Sequence, residues 1–106
     1  MSSASDRAFS HVADALLIDA DDDVRLEGGA LSVKGRVFAR LDGDRLVVDL
    51  PSPRAADLVE RGIASSASGT EAALGTWVGI DEAEDWIELA GEAHQFVGEP
   101  PVGRQS

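Results

Sequence analysis

The chain has 106 residues, 43% of them apolar, and carries a formal charge of −11 from 20 acidic and 9 basic residues. That is material for one domain around one core, and a field of that sign repels phosphate backbones and anionic membranes at long range. The absence of cysteine excludes disulfides, thiolate-bound zinc, iron–sulfur clusters and thiol catalysis.

Phe9, Val12, Ala13, Leu16 and Ala20 recur at helical spacing, so a first amphipathic helix is expected. Ser3 with Asp6 resembles a capping box and places its start near Ala4 or Ser5. It should stop before Asp21, Asp22 and Asp23, three like charges at the negative end of the helix dipole. Residues 24–27 and 30–33 flank Gly28-Gly29, a pair suited to a tight turn, and pairing across it sets Leu26 against Leu31 and Val24 against Val33. A second hairpin, residues 36–41 and 45–50, is expected to turn at Asp42-Gly43. That turn pairs Ala39 with Leu46, Val37 with Val48 and Arg36 with Asp49. One face then carries Val37, Ala39, Leu41, Leu46, Val48 and Leu50, the other Arg36, Phe38, Arg40, Arg45, Val47 and Asp49. Moving the turn to Gly43-Asp44 changes the partners but not the faces.

A second helix follows, with Ser52 as N-cap, Pro53 as its first residue and Gly62 just past its end. Ala55, Leu58 and Val59 form its buried edge. Residues 63–75 are mostly small and polar and read as a loop. Residues 76–80 form a fifth strand, and Asp81 with Glu84 a capping box for a last helix buried through Trp86, Leu89, Ala90, Ala93 and Val97. Gly98 ends that helix, and residues 99–106 are expected to be a disordered tail. The predicted order is α-β-β-β-β-α-β-α. The fold class is α+β, an antiparallel sheet of about five strands with helices mainly on one face, in one domain over residues 4–98. The N-terminal MSSASDRAF lacks the basic and apolar regions of a signal peptide. No stretch approaches the roughly 20 apolar residues that span a bilayer, so a soluble cytoplasmic protein is expected. Eight of the nine basic residues are Arg and alanine is abundant, a pattern of high-GC bacterial genomes.

The run Val33-Lys34-Gly35-Arg36-Val37-Phe38-Ala39-Arg40-Leu41, followed by Arg45-Leu46-Val47-Val48-Asp49-Leu50-Pro51, resembles the TfoX N-terminal-like and MmcQ/YjbR-like small domains. Residues 54–62, Thr76-Trp77-Val78 and Asp85-Trp86 extend the similarity over about residues 9–97. The resemblance implies a compact α+β fold, in the YjbR case similar to the frataxin/CyaY arrangement, and supplies no catalytic residues. Members are often labelled DNA-binding or competence-regulatory. The family pattern tends to have Lys at the position of Asp49 and a Pro/Gly/His-containing segment ending in Met-Lys-Glu before the tryptophan. Here residues 66–76 contain no Lys, Arg, His or Met. Both departures remove positive charge where nucleic-acid binding would need it.

Candidate chemistry is sparse. His11 and His94 are the only histidines, and nothing in the sequence brings either to a nucleophile and an orienting acid, as a triad requires. Asp14, Asp19 and Asp21 to Asp23 form an acidic cluster that lacks the ligand spacing of an EF-hand and suggests at most weak divalent-cation binding. No cofactor or specific metal site is expected. Lys34, Arg36, Arg40 and Arg45 form the basic patch, with Phe38 among them, an arrangement that can hold single-stranded nucleic acid by phosphate contact and stacking. The competing expectation pairs Arg36 with Asp49 across the strands. The serine-rich stretch Ser65, Ser66, Ser68, Gly69 and Thr70 lacks the lysine of a phosphate-binding loop and reads as a connector, with a ligand or partner contact as the alternative. The sequence therefore points to a non-catalytic protein-interaction or small-ligand module. Its expected contact surfaces are the outer hairpin face, Arg36, Phe38, Arg40 and Val47, and Trp77 with the loop before it; the alternative is a nucleic-acid-binding or competence-type regulator using Arg36, Arg40 and Arg45.

Overall fold

Alternating apolar residues in short runs, bounded by glycine turns, produce a six-stranded antiparallel sheet in the order β1-β2-β3-β4-β6-β5. The computed structural model describes residues 4–19, 24–27, 29–33, 35–67 and 74–98. The expected capping serine Ser3, the acidic run 21–23, Gly28, Lys34, residues 68–73 and the tail 99–106 lie outside these. Helix α1 (Ala4–Asp19) precedes β1 (Val24–Glu27), β2 (Ala30–Val33), β3 (Arg36–Asp42) and β4 (Arg45–Leu50). Then come α2 (Ser52–Glu60), β5 (Ala64–Ser66), β6 (Thr76–Ile80), a 3₁₀ turn (Ala83–Asp85) and α3 (Trp86–Gly98).

The expected α+β class and one-sided helix layer are present. Phe9, Val12, Ala13 and Leu16 of α1, Ala55 and Leu58 of α2, and Trp86, Leu89, Ala90 and Ala93 of α3 join one core with the sheet face bearing Leu31, Leu46, Val48 and Ile80. Two-layer packing of this kind hides one face of the sheet, and among the described residues no helix packs on the other. The first hairpin has the expected register, Val24 with Val33 and Leu26 with Leu31.

The second hairpin differs in register. Asp42 pairs with Arg45, Leu41 with Leu46 and Ala39 with Val48, so the two-residue loop is Gly43-Asp44, with Gly43 at φ +65. A positive φ in the first loop position costs glycine nothing, which favours this loop over Asp42-Gly43. The register moves by two residues and side-chain parity is kept: Ala39, Leu46, Val48 and Leu50 are fully buried in the core.

Phe38 escapes that parity. Between β2 and β3 the register shifts, with Leu31 opposite Ala39 and Ser32 opposite Val37, so Phe38 is an extra residue on its strand. A bulge of this kind re-aims a side chain. Phe38 and Ala39 consequently both enter the core, each with 0% exposure, and Val37 is left outside it. Phe38 is not on the outer hairpin face; its ring meets His94 of α3 edge-on, centroids 5.5 Å apart at 62°.

Four further expectations are corrected. The segment read as a loop contains β5, a three-residue strand pairing Ala64 with Ile80 and Ser66 with Val78. Pro51, not Ser52, is the N-cap of α2, and the Ser52 hydroxyl instead lies 2.9 Å from the Thr76 hydroxyl. Asp81 and Glu84 do not box the last helix: Glu82 caps the 3₁₀ turn without a side-chain bond, and the Trp86 indole N–H donates to the Ile80 carbonyl at 2.9 Å. Val59 is 39% exposed rather than buried. Gly62 does end α2, where the Gly62 N–H donates to Val59 and the Ile63 N–H to Leu58, the paired bonds of a Schellman motif.

Candidate functional site

Helix α2 lies over the margin of the sheet, against β5 and β6. Only its Ala55 and Leu58 side has sheet beneath it, which is why Val59, one residue beyond Leu58, is left in the open. Between this helix and the ends of β5 and β6 runs a groove of about 800 Å³. Pro53, Ala55, Ala56 and Val59 supply its helical wall and Val78 an apolar floor. Three hydroxyls, of Ser52, Ser66 and Thr76, also line it, and each can donate and accept.

Asp57 and Glu60 line the same groove. Asp57 is engaged along the helix, taking an Arg61 guanidinium N–H at 3.2 Å and standing 3.5 Å from Arg54. Arg54 in turn donates two bonds of 2.9 Å to the Glu92 carboxylate, which ties α2 to α3. That hydrogen-bonded carboxylate holds the Arg54 guanidinium above its ordinary pKa. The pair is partly exposed and serves to orient the helices rather than to react.

Asp49 is the buried charged residue among the described ones, with 0% exposure. It pairs with Trp77 in the β4–β6 ladder, whereas Arg36 pairs with Val33, so the expected Arg36–Asp49 pairing does not exist. One carboxylate oxygen accepts the Leu74 N–H at 2.7 Å and the other the Gly75 N–H at 2.9 Å. The aspartate clamps the backbone entering β6, at the end of the strand that carries Thr76 and Val78 into the groove.

The residues expected to form a contact surface are not brought together. Arg36 is exposed at the start of β3, but its pairing with Val33 puts it on the helix side. Phe38 is in the core. Arg40 and Val47 are ladder partners and share the helix-free face, Arg40 half-buried and Val47 fully buried. This face covers itself: Arg45 lies across Gly79, where an added Cβ would sit 2.9 Å from the arginine Cδ, and Trp77 is only 6% exposed. His11 is exposed on α1.

Among the described residues no group of three or more His, Asp or Glu is placed to hold a metal ion. The acidic cluster at 21–23 lies outside them.

Sequence reasoning missed Ala56 and Val59 as site residues, and reached Ser66 only as part of the serine-rich stretch before Trp77. The one signal was Val59 itself, an apolar residue next to the buried stripe in a helix too short to need it. No protein-family model, curated protein or solved structure matches the chain.

Proposed function

We propose that this chain is a small non-catalytic cytoplasmic binding module of the TfoX N-terminal-like or YjbR-like type. It holds a ligand or a partner in the groove between α2 and the β5–β6 margin. The observation that carries this is the groove: a volume of about 800 Å³, an apolar floor and wall, and a lining that includes the hydroxyls of Ser66 and of the hydrogen-bonded pair Ser52–Thr76. Ligand sites are commonly concavities of about 300–1,000 Å³, mostly apolar with a few placed polar groups.

Its chemistry supports holding rather than transforming. The His94 ring is engaged with Phe38, and of the groove's two carboxylates Asp57 is already held by Arg61 and Arg54. The nucleic-acid reading needed Phe38 as a stacking platform among the arginines; with Phe38 in the core it loses that element.

A fragment set followed by amide NMR tests the proposal. Fragments should shift Val59, Ser66, Thr76 and Val78, and Ala56→Trp, which fills the groove from an exposed helix position, should abolish the shifts. Shifts that survive Ala56→Trp unchanged, or fragments that leave all four amides unmoved, would reject the groove as the site.

A further inference from the structure

The groove opens onto a sheet edge, β5, which among the described residues has no strand on its outer side. The Ala67 N–H donates to the Trp77 carbonyl at 3.3 Å, which makes that pair a hydrogen-bonded one. Bonded and non-bonded pairs alternate along an antiparallel ladder. Ser65 with Gly79 is therefore bonded, while Ala64 with Ile80 and Ser66 with Val78 are non-bonded pairs. The N–H and C=O groups of Ala64 and Ser66 thus point away from β6. Since β5 is terminal in the strand order, they point to the outer edge of the sheet. Ser66 also lines the groove, so the open edge and the apolar wall of α2 are continuous.

We propose that the occupant is an extended segment of a partner protein, with alternating apolar and basic residues, added to β5 as a seventh strand. The inference rests on the groove reading of the preceding subsection. An edge strand beside a helix suits backbone pairing, which supplies affinity, and a side groove takes alternate side chains, which supply specificity. With three residues, β5 offers only Ala64 and Ser66 for pairing, a short edge of the kind that discourages indiscriminate pairing. The groove must supply the remaining affinity through Ala56 and Val59. The charge of the occupant follows from the site: Glu60 lines it beside Asp57, which Arg61 and Arg54 already engage, and the whole chain stands at −11. A second copy of the chain would bring like charge to like charge and is disfavoured.

The probe is a blocked hexapeptide of alternating valine and lysine, titrated into the full ¹⁵N-labelled chain. Two analogues are N-methylated, one at the valines and the other at the lysines. A strand presents only one of these amide sets to β5. One analogue should therefore lose about 25-fold in affinity, two hydrogen bonds at about fivefold each, and the other should keep it. The Ala64 and Ser66 amides should shift and exchange more slowly, and a valine–glutamate hexapeptide should not bind. Equal binding of both analogues, or binding of the glutamate peptide as tight as that of lysine, overturns the inference. So does a groove that takes fragments but no valine–lysine peptide, and in that case the groove reading stands. Silence towards both peptide and fragments overturns the two together.

Discussion

Replacing Asp49 with alanine should cost about 3 kcal/mol, because the carboxylate holds two backbone N–H groups. Its carboxylate is fully buried and accepts two backbone N–H groups, at 2.7 and 2.9 Å. Hydrogen bonds to a charged acceptor are worth about 1.5–3 kcal/mol each, so the sum is about 3–6 kcal/mol. The lower end applies because Leu74 is 44% exposed and water can reach its N–H once the clamp is gone. Asp49→Asn keeps the shape and one acceptor but turns an amide N–H towards a backbone donor, at a cost of about 2 kcal/mol. For a domain near this size, 3 kcal/mol lowers Tm by about 12–24 °C. Urea denaturation gives the cost, and hydrogen exchange at Leu74 and Gly75 gives its location. Arg36→Ala, at a position paired with Val33, should stay within about 0.5 kcal/mol, and the two substitutions should be additive. A cost below about 1 kcal/mol for Asp49→Ala, or a coupling to Arg36 above about 1 kcal/mol, would refute the clamp.

Phe38→Ala should destabilise by about 3–5 kcal/mol, as a large aromatic deleted from a packed core does; an effect under about 1 kcal/mol in chemical denaturation would mean the ring is not in the core. Gly75→Ala should cost at least about 1–3 kcal/mol, because a Cβ there collides with the Leu50 carbonyl and comes to 3.0 Å from the Phe96 ring; a neutral thermal melt would show that the approach to β6 is looser than described. Glu92→Gln should cost about 0.5–1 kcal/mol at low salt and less in 1 M NaCl, since the Arg54–Glu92 pair is partly exposed and screened; a cost that does not change with salt would count against an electrostatic role.

Much of the scaffold was readable because it depends on local periodicity. The apolar stripes of α1 and α3 and the register of the first hairpin follow from spacing alone. Phe38 did not, because a single extra residue in a strand leaves composition and alternation looking normal while it reverses the side-chain direction. Asp49 was read as the partner of Arg36 because cross-strand side chains are the partners a pattern can suggest. Its real partners are backbone N–H groups 25 and 26 residues further along the chain, which leave no side-chain signature. β5 was hidden because serine and alanine carry little strand signal over three residues. The groove was hidden for a related reason: whether Ala56, Val59 and Ser66 face solvent or core depends on where α2 lies relative to the sheet margin, and that is decided by tertiary packing.

The decisive measurement is an amide NMR titration of the full chain with the valine–lysine hexapeptide, mapped on both faces of the sheet. The groove account predicts shifts at Val59, Ala64, Ser66 and Thr76, with Arg40, Arg45 and Val47 unmoved. Shifts confined to Arg40, Arg45 and Val47, with the groove silent, would contradict it and make the helix-free face the binding surface.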